Sequence, residues 1–401
     1  MWIPNTWRHK IGNESPRFIP FRNHSYCDEP EKRKTVVTII GGHTGEGQLV
    51  ALLLKQSKFI DEIRLYSGII NPCGIAVDLS QIDTNPVVKS YLGQGLLRDA
   101  IVGAQVVLIC GGQAKKPCKS QAELFEENAD YVRNAAIYMC EFNPKGMFCI
   151  STPPVSSLVP MVSAEFKKEP VYDPRKILGV MTLAVMKSNS IAGRYINRNP
   201  ADVAVPVIGG MCRRTMVPIF SQIKPVANLQ KALQQLLHDK VCSAEDEAVD
   251  LKYIENTGSC FISSAFACAR FITSVLRGLR GERGIIECAF VRQLGHIEAF
   301  LPYMGSVVKF GRGGIESTHM PRINDLECEY LQKAYPYLKR HIEMGEAYII
   351  GDFPKECTLD PRLSGYCQFV SKKPVTQIGD FKIDMEPTCA EKQERCIEII
   401  T

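Results

Sequence analysis

Apolar residues along the chain fall into two rhythms. Thr35-Val36-Val37-Thr38-Ile39-Ile40 is short, β-branched and closed by glycine, the mark of a buried strand. Gly41-Gly42-His43-Thr44-Gly45-Glu46-Gly47 follows as a glycine-rich turn, and Leu49, Leu52 and Leu53 then recur at helical spacing. Ile63 to Tyr66, Val106 to Cys110 (ended by Gly111-Gly112) and Met147 to Ile150 predict three more strands, with a helix from Gln121 to Met139. Strands alternating with helices predict a parallel, doubly wound sheet, because parallel neighbours need crossover connections.

The second half changes character. Val203 to Ile208 predicts a strand. One long helix is expected from Ala244 to Leu276, with Ile262, Phe266, Ala269 and Ile272 near one face. Ile285 to Val291 and Ser306 to Phe310 read as antiparallel strands, and Leu326 to Met344 as a terminal helix. The division expected is an α/β domain over residues 34–180, an α+β domain over 181–350, and an appended tail over 351–401 without its own core. Residues 1–33 carry Arg8, Lys10, Arg17 and Arg22 against Glu14 before the Asp28-Glu29 pair, together with Pro4, Pro16 and Pro20. They fit a disordered extension or, being basic and poor in acids, a transit-like segment.

Composition narrows the function classes. The 401 residues suffice for two domains. A dispersed net charge of +5 argues against nucleic acid as a partner. No uncharged apolar stretch is long enough to predict a membrane span. The 16 cysteines form no Cys-x-x-Cys pair, and no histidine pair stands at zinc spacing, so no metal is expected. Many cysteines lie in apolar runs, where the thiol behaves as a small hydrophobe, as expected of a reduced, intracellular protein.

The strand, glycine turn and helix around Gly41, Gly42 and Gly47 match the geometry that holds a pyrophosphate on backbone N–H groups. The rest of that fingerprint is an acid at the end of the second strand, which grips ribose hydroxyls. Ser67 stands there instead. Glu46 puts a carboxylate inside the loop, where it would repel pyrophosphate unless turned away. The alternative is that the turn only packs helix on strand.

Several words then occur in order: Gly41…Gly47-Gln48, Ala76-Val77-Asp78-Leu79-Ser80-Gln81-Ile82, Glu123-Leu124-Phe125…Asn128-Ala129, Pro154-Val155, Ile177-Leu178-Gly179-Val180, Val205-Pro206-Val207-Ile208-Gly209-Gly210, Gly258-Ser259, Ala269-Arg270-Phe271 and Glu287-Cys288…Phe290-Val291. With these the chain, over roughly residues 34–350, resembles the mitochondrial-type malate dehydrogenases. The resemblance implies an α/β Rossmann doubly wound sheet followed by an α+β lactate/malate dehydrogenase C-terminal domain. It implies NAD as cofactor, with Asn128 beside Gly41, Gly42, Gly47 and Ser67 as cofactor-binding positions. It also implies a dimer and, together with residues 1–27, the mitochondrial matrix; the cytoplasm is the alternative.

Carried over by position, the family's chemistry is interrupted. Where the resemblance puts the proton-transferring histidine stands Met211, and where it puts that histidine's aspartate stands Ala184. The substrate arginine positions hold Lys115, Lys187 and Gln121, and the asparagine positions hold Pro153 and Ser156. A thioether neither accepts nor returns a proton. Losing histidine and aspartate together avoids an orphaned buried charge, so the pair is expected to be repacked as core. Cys212, beside Arg213 and Arg214, is a new nucleophile or, more simply, packing. Lys115 and Lys187 would bind an anion or stand as solvated lysines. The expectation is a malate dehydrogenase-like pseudoenzyme with weakened NAD binding. It would be a homodimer, or a heterodimer with a paralogue, meeting an unknown protein partner through its N-terminal arm or C-terminal tail. A weakly active 2-hydroxy-acid dehydrogenase and a dinucleotide or dicarboxylate sensor are the other readings.

Overall fold

The computed structural model describes residues 34–350 apart from 118, 224, 225, 227–230, 255–260, 294–297 and 299. The basic arm, the tail, Gly258-Ser259, His9, His24 and His296 lie outside the described residues.

Six strands form the parallel half of one sheet: β1 (Val36–Ile40), β2 (Glu62–Ser67), β3 (Val87–Leu92), β4 (Val106–Ile109), β5 (Met147–Ile150) and β6 (Ile177–Val180), in the order 3-2-1-4-5-6. Between them run α1 (Gly45–Lys55), α2 (Cys73–Ser80), α3 (Leu97–Ile101), α4 (Gln121–Phe142) and α5 (Val155–Phe166). Apart from the edge strand β3, the parallel strands are buried on both faces, so successive residues feed different layers. Val36 and Ile40 of β1, with Val107 and Ile109 of β4, join one core cluster; Val37, Ile39, Val106 and Leu108 join the other.

The second half adds β7 (Val207–Gly209), β8 (Met216–Pro218), β9 (Ile285–Arg292), β10 (Tyr303–Gly311) and β11 (Gly314–His319). It also adds α6 (Thr182–Tyr195), α7 (Lys231–Ile254), α8 (Ile262–Leu279) and α9 (Asp325–Ile350). These strands pair antiparallel with one another. They are continuous with the parallel half, because β6 pairs antiparallel with β9 through Gly179–Phe290 and Val180–Ala289.

Four expectations change. The single helix over 244–276 is two helices, α7 and α8, separated where the sequence turns to Asn256-Thr257-Gly258-Ser259, all weak helix formers. On α8, Ala269 and Ile272 are buried, but Ile262 and Phe266 are exposed. On α1 the buried face is Val50, Ala51 and Leu54; Leu52 is exposed, and Leu49 and Leu53 are only partly buried. Val203 to Ile208 yields only the short β7, and Pro206 has no N–H to give a ladder there. Among the described residues α8 alone is long and apolar enough to cross a membrane, but it packs against α1 as a core helix.

Candidate functional site

A cleft of about 280 Å³ opens at the carboxyl ends of β1, β4, β5 and β6. This is where open α/β sheets place their ligands. The glycine turn after β1 is shaped by close approach. Gly41 has φ +92°, and a Cβ there would strike the Cys110 carbonyl. A Cβ on Gly47 would strike the Gly41 carbonyl, so glycine lets α1 sit tight on β1.

The N-terminus of α1 is capped from within the chain at Gly47. The Thr44 hydroxyl accepts from the Gly47 N–H at 3.1 Å and donates to the Gly41 carbonyl at 2.8 Å, capping the helix. Any Cβ on Gly45 would enter the Phe261 ring, which leads into α8 and lies on the turn. Glu46 turns into the cleft wall. Its carboxylate accepts from Ser264 Oγ, from Ser151 Oγ at 3.4 Å and from the Gly111 N–H. Cys268 Sγ donates to Ser151 Oγ at 3.1 Å in the same network. Burial pushes the Glu46 carboxyl above the usual carboxylate range, against the opposing pull of these hydrogen bonds.

Ser67 is buried at the end of β2, and its hydroxyl accepts from the Ile69 and Ile70 N–H groups at 3.3 and 3.1 Å. It holds its own turn. Asn128, expected to face a cofactor, is fully buried on α4 and works inside the protein. Its amide donates to the Gln113 and Pro153 carbonyls at 2.9 and 2.7 Å and accepts from the Gln113 N–H at 2.7 Å. It ties the loop after β4 to the cis Pro153-Pro154 segment after β5. His43 does not line the cleft; its Nδ1 is buried without a partner, and burial lowers its pKa.

The substrate-type positions do come together. Lys115, Gln121, Ser156, Lys187 and Met211 all line the cleft. Ser120 and Glu123 start α4 with a reciprocal capping box, which fixes Gln121 at the rim. Ala184 is instead on the buried face of α6, in the core. The expected repacking is therefore half true: Ala184 is core, whereas Met211 leans on the core yet remains on the wall of an open cleft. Lys115 and Lys187 are neither bare nor solvated. Lys115 pairs with Asp246 of α7, and Lys187 lies 3.8 Å from Glu245 of α7. Cys212 bonds Thr215, and burial raises its thiol pKa, the opposite of an activated nucleophile. Sequence reading passed over Glu245, Asp246, Phe261, Ser151 and Ser264. The adjacent acids Glu245-Asp246, inside a stretch of helical periodicity, are the one signal the sequence carries for them.

Strand order and switch-point cleft define a doubly wound α/β protein of the dinucleotide-binding type, extended by an antiparallel half. Residues 35–179 match the lactate/malate dehydrogenase NAD binding domain, and residues 182–349 match the lactate/malate dehydrogenase alpha/beta C-terminal domain. The chain belongs to the lactate/malate dehydrogenase family. It is 35% identical over 314 residues to mitochondrial malate dehydrogenase of Sus scrofa, covering 78% of this chain and 91% of that one. It is 34% identical over 314 residues to glyoxysomal malate dehydrogenase of Citrullus lanatus, covering 78% and 86%. Among solved structures, apo malate dehydrogenase from Picrophilus torridus shares the fold at TM-score 0.67 and 19% identity, covering 79% of this chain and 99% of that one. The lactate dehydrogenase of Cryptosporidium parvum, complexed with lactic acid and nicotinamide adenine dinucleotide, aligns at TM-score 0.64 and 18% identity, covering 80% and 99%.

Proposed function

We propose that this chain is a malate dehydrogenase-like protein that does not turn over malate and serves a structural or regulatory role. One observation carries the reading: among the described residues lining the cleft there is neither a histidine nor an arginine, and Met211 stands on its wall. The missing acid/base group alone costs on the order of 10²–10⁴ in rate. Lysine in place of arginine gives up the two-pronged grip that a guanidinium offers a carboxylate.

Cofactor binding is weakened on the same reading. The glycine turn keeps its shape, but its lining does not fit a pyrophosphate as folded. Thr44 occupies the Gly47 N–H, Glu46 occupies the Gly111 N–H, and the Phe261 ring covers Gly45. An anion entering there would meet a carboxylate, and would find the Gly47 N–H taken by Thr44 and the Gly111 N–H taken by Glu46. NAD would therefore have to displace Glu46 and Phe261 together.

Assay of the full chain with oxaloacetate and NADH tests the reading. The expected rate lies at least about 10⁴ below that of a family enzyme, and a higher one overturns the proposal. Calorimetry with NAD and NADH is expected to show no binding in the micromolar range. A weakly active dehydrogenase remains the second reading, favoured by the two lysines kept on the cleft wall.

For partners we propose a homodimer, or a heterodimer with a paralogue. Leu52 of α1, Val77 of α2, and Ile262 and Phe266 of α8 are large apolar side chains left exposed. A monomer by light scattering at micromolar concentration removes this part. The compartment we propose is the mitochondrial matrix, on the basic residues 1–27 and the mitochondrial relatives. Glyoxysomal relatives are about as similar, and imaging of the tagged chain decides.

A further inference from the structure

Two adjacent acids of α7 meet the two lysines of the cleft. Asp246 contacts the Lys115 ammonium and lies 4.0 Å from the Arg213 guanidinium. Glu245 lies 3.8 Å from Lys187. Lys115 comes from the loop after β4 in the first domain, and Lys187 from α6 in the second. One helix thus answers one cation from each domain. Lys115 and Lys187 are 19% and 18% exposed and their acids 28% and 31%, so solvent and salt screen these pairs less than pairs on the open surface. Burial alone would lower the Lys115 pKa; the Glu245 and Asp246 charges outweigh it and raise it.

We propose that Glu245 and Asp246 are internal carboxylate ligands of this cleft, held against Lys187 and Lys115 so that small dicarboxylate anions are kept out. The inference deepens the proposed function and rests on it. Two acids fixed on one helix act at a high effective concentration, and a free dianion must displace both to gain the same two cations. It must also leave Glu245 and Asp246 without their partners at a half-buried wall, which adds to its cost. The cleft therefore rejects anions even though it carries two lysines. Its specificity is set by α7 as much as by the positions that line a substrate.

The test uses the full chain and L-malate as probe, by calorimetry at low ionic strength. The wild type is expected to show no binding at millimolar malate. E245Q/D246N keeps side-chain size while removing both charges, and is expected to bind malate at least about tenfold more tightly than the wild type. Adding K115Q and K187Q to that variant is expected to abolish the gain. The inference is overturned if the wild type binds as tightly as E245Q/D246N, or if that variant gains nothing. Circular dichroism checks the fold of each variant. Should E245Q/D246N not fold, reductive ¹³C-methylation of the wild-type lysines gives a second reading. The Lys115 and Lys187 resonances are expected to ignore malate, and a malate-dependent shift of either refutes the inference. Oxaloacetate turnover by the wild type would sink the proposed function. A silent wild type whose E245Q/D246N variant gains no malate sinks only this inference.

Discussion

Inside the parallel half of the sheet, β4 feeds Val107 and Ile109 to one buried layer and Val106 and Leu108 to the other, with apolar partners on both sides. At the end of the same strand, the cleft mixes Glu46, Lys115, Lys187 and Glu245 with Met211 and Phe261. The frame answers to volume and period; the lining answers to pairing, each charge being matched by another group of the chain. A frame can persist while its lining is exchanged, because the two depend on different residues. Family membership is therefore compatible with the loss of turnover proposed for this chain.

The comparison can be broken at the frame with the largest effect. Phe148 of β5 is fully buried, and Phe148→Ala is expected to destabilise the chain by about 3–5 kcal/mol in urea unfolding, because its cavity cannot collapse inside a sheet. A loss under 1 kcal/mol would show a looser core than the burial implies.

Acid should come next. His341 of α9 is buried, and burial, with the nearby Arg340 charge, lowers its pKa from 6.5 to about 4. The unfolded chain takes up a proton below pH 6.5 that the folded chain refuses until about pH 4. Stability is therefore complete above that window and is lost as pH falls through it, by about 3 kcal/mol at most. His238, lowered mainly by its burial, adds in the same direction. His341→Leu should flatten the decline measured by unfolding between pH 7 and 4; an unchanged profile would place the sensitivity elsewhere.

The lining should be more forgiving. Glu46 has a raised pKa, so the folded chain binds its proton more readily than the unfolded one. Its contribution is present below the ordinary carboxylate range and is lost as pH rises through the raised value. Glu46→Gln keeps an acceptor for Ser264 and is expected to leave the chain as stable or up to about 1 kcal/mol more stable at pH 7, with NAD affinity equal or improved. A marked loss of stability would mean that the charged carboxylate holds the network. Smallest of all, Met211→Leu should change stability by less than about 1 kcal/mol, since it conserves volume on a half-buried wall.

Much of the frame was readable from the sequence. β5 occupies Met147–Ile150 as its apolar run predicts, and β1 and β4 differ from their runs only at the ends. β3 escaped because it is the edge strand: Val87, Lys89 and Leu92 are exposed, so its run does not stand out from its polar surroundings. α7 and α8 fused in the reading because helical periodicity resumes after a short polar interruption. In the site, the family-like words located the positions of Lys115, Lys187 and Met211. What they could not locate was Asp246, which reaches Lys115 across 131 residues, or Phe261 on Gly45. Contacts of that range are set by how α7 and α8 dock on the sheet, and a local pattern does not encode docking.

The Asn128 tie has a consequence for engineering. Its three hydrogen bonds anchor both loops at the mouth through backbone groups of Gln113 and Pro153, and the Asn128 side chain itself does not line the cleft. The opening is thereby propped by a buried amide and not by whatever occupies it, so guest and doorframe are separable. Substitutions at Met211, Lys115 or Glu46 should redecorate this hollow without collapsing it, leaving a ready-shaped receptacle for chemistries its ancestors never hosted.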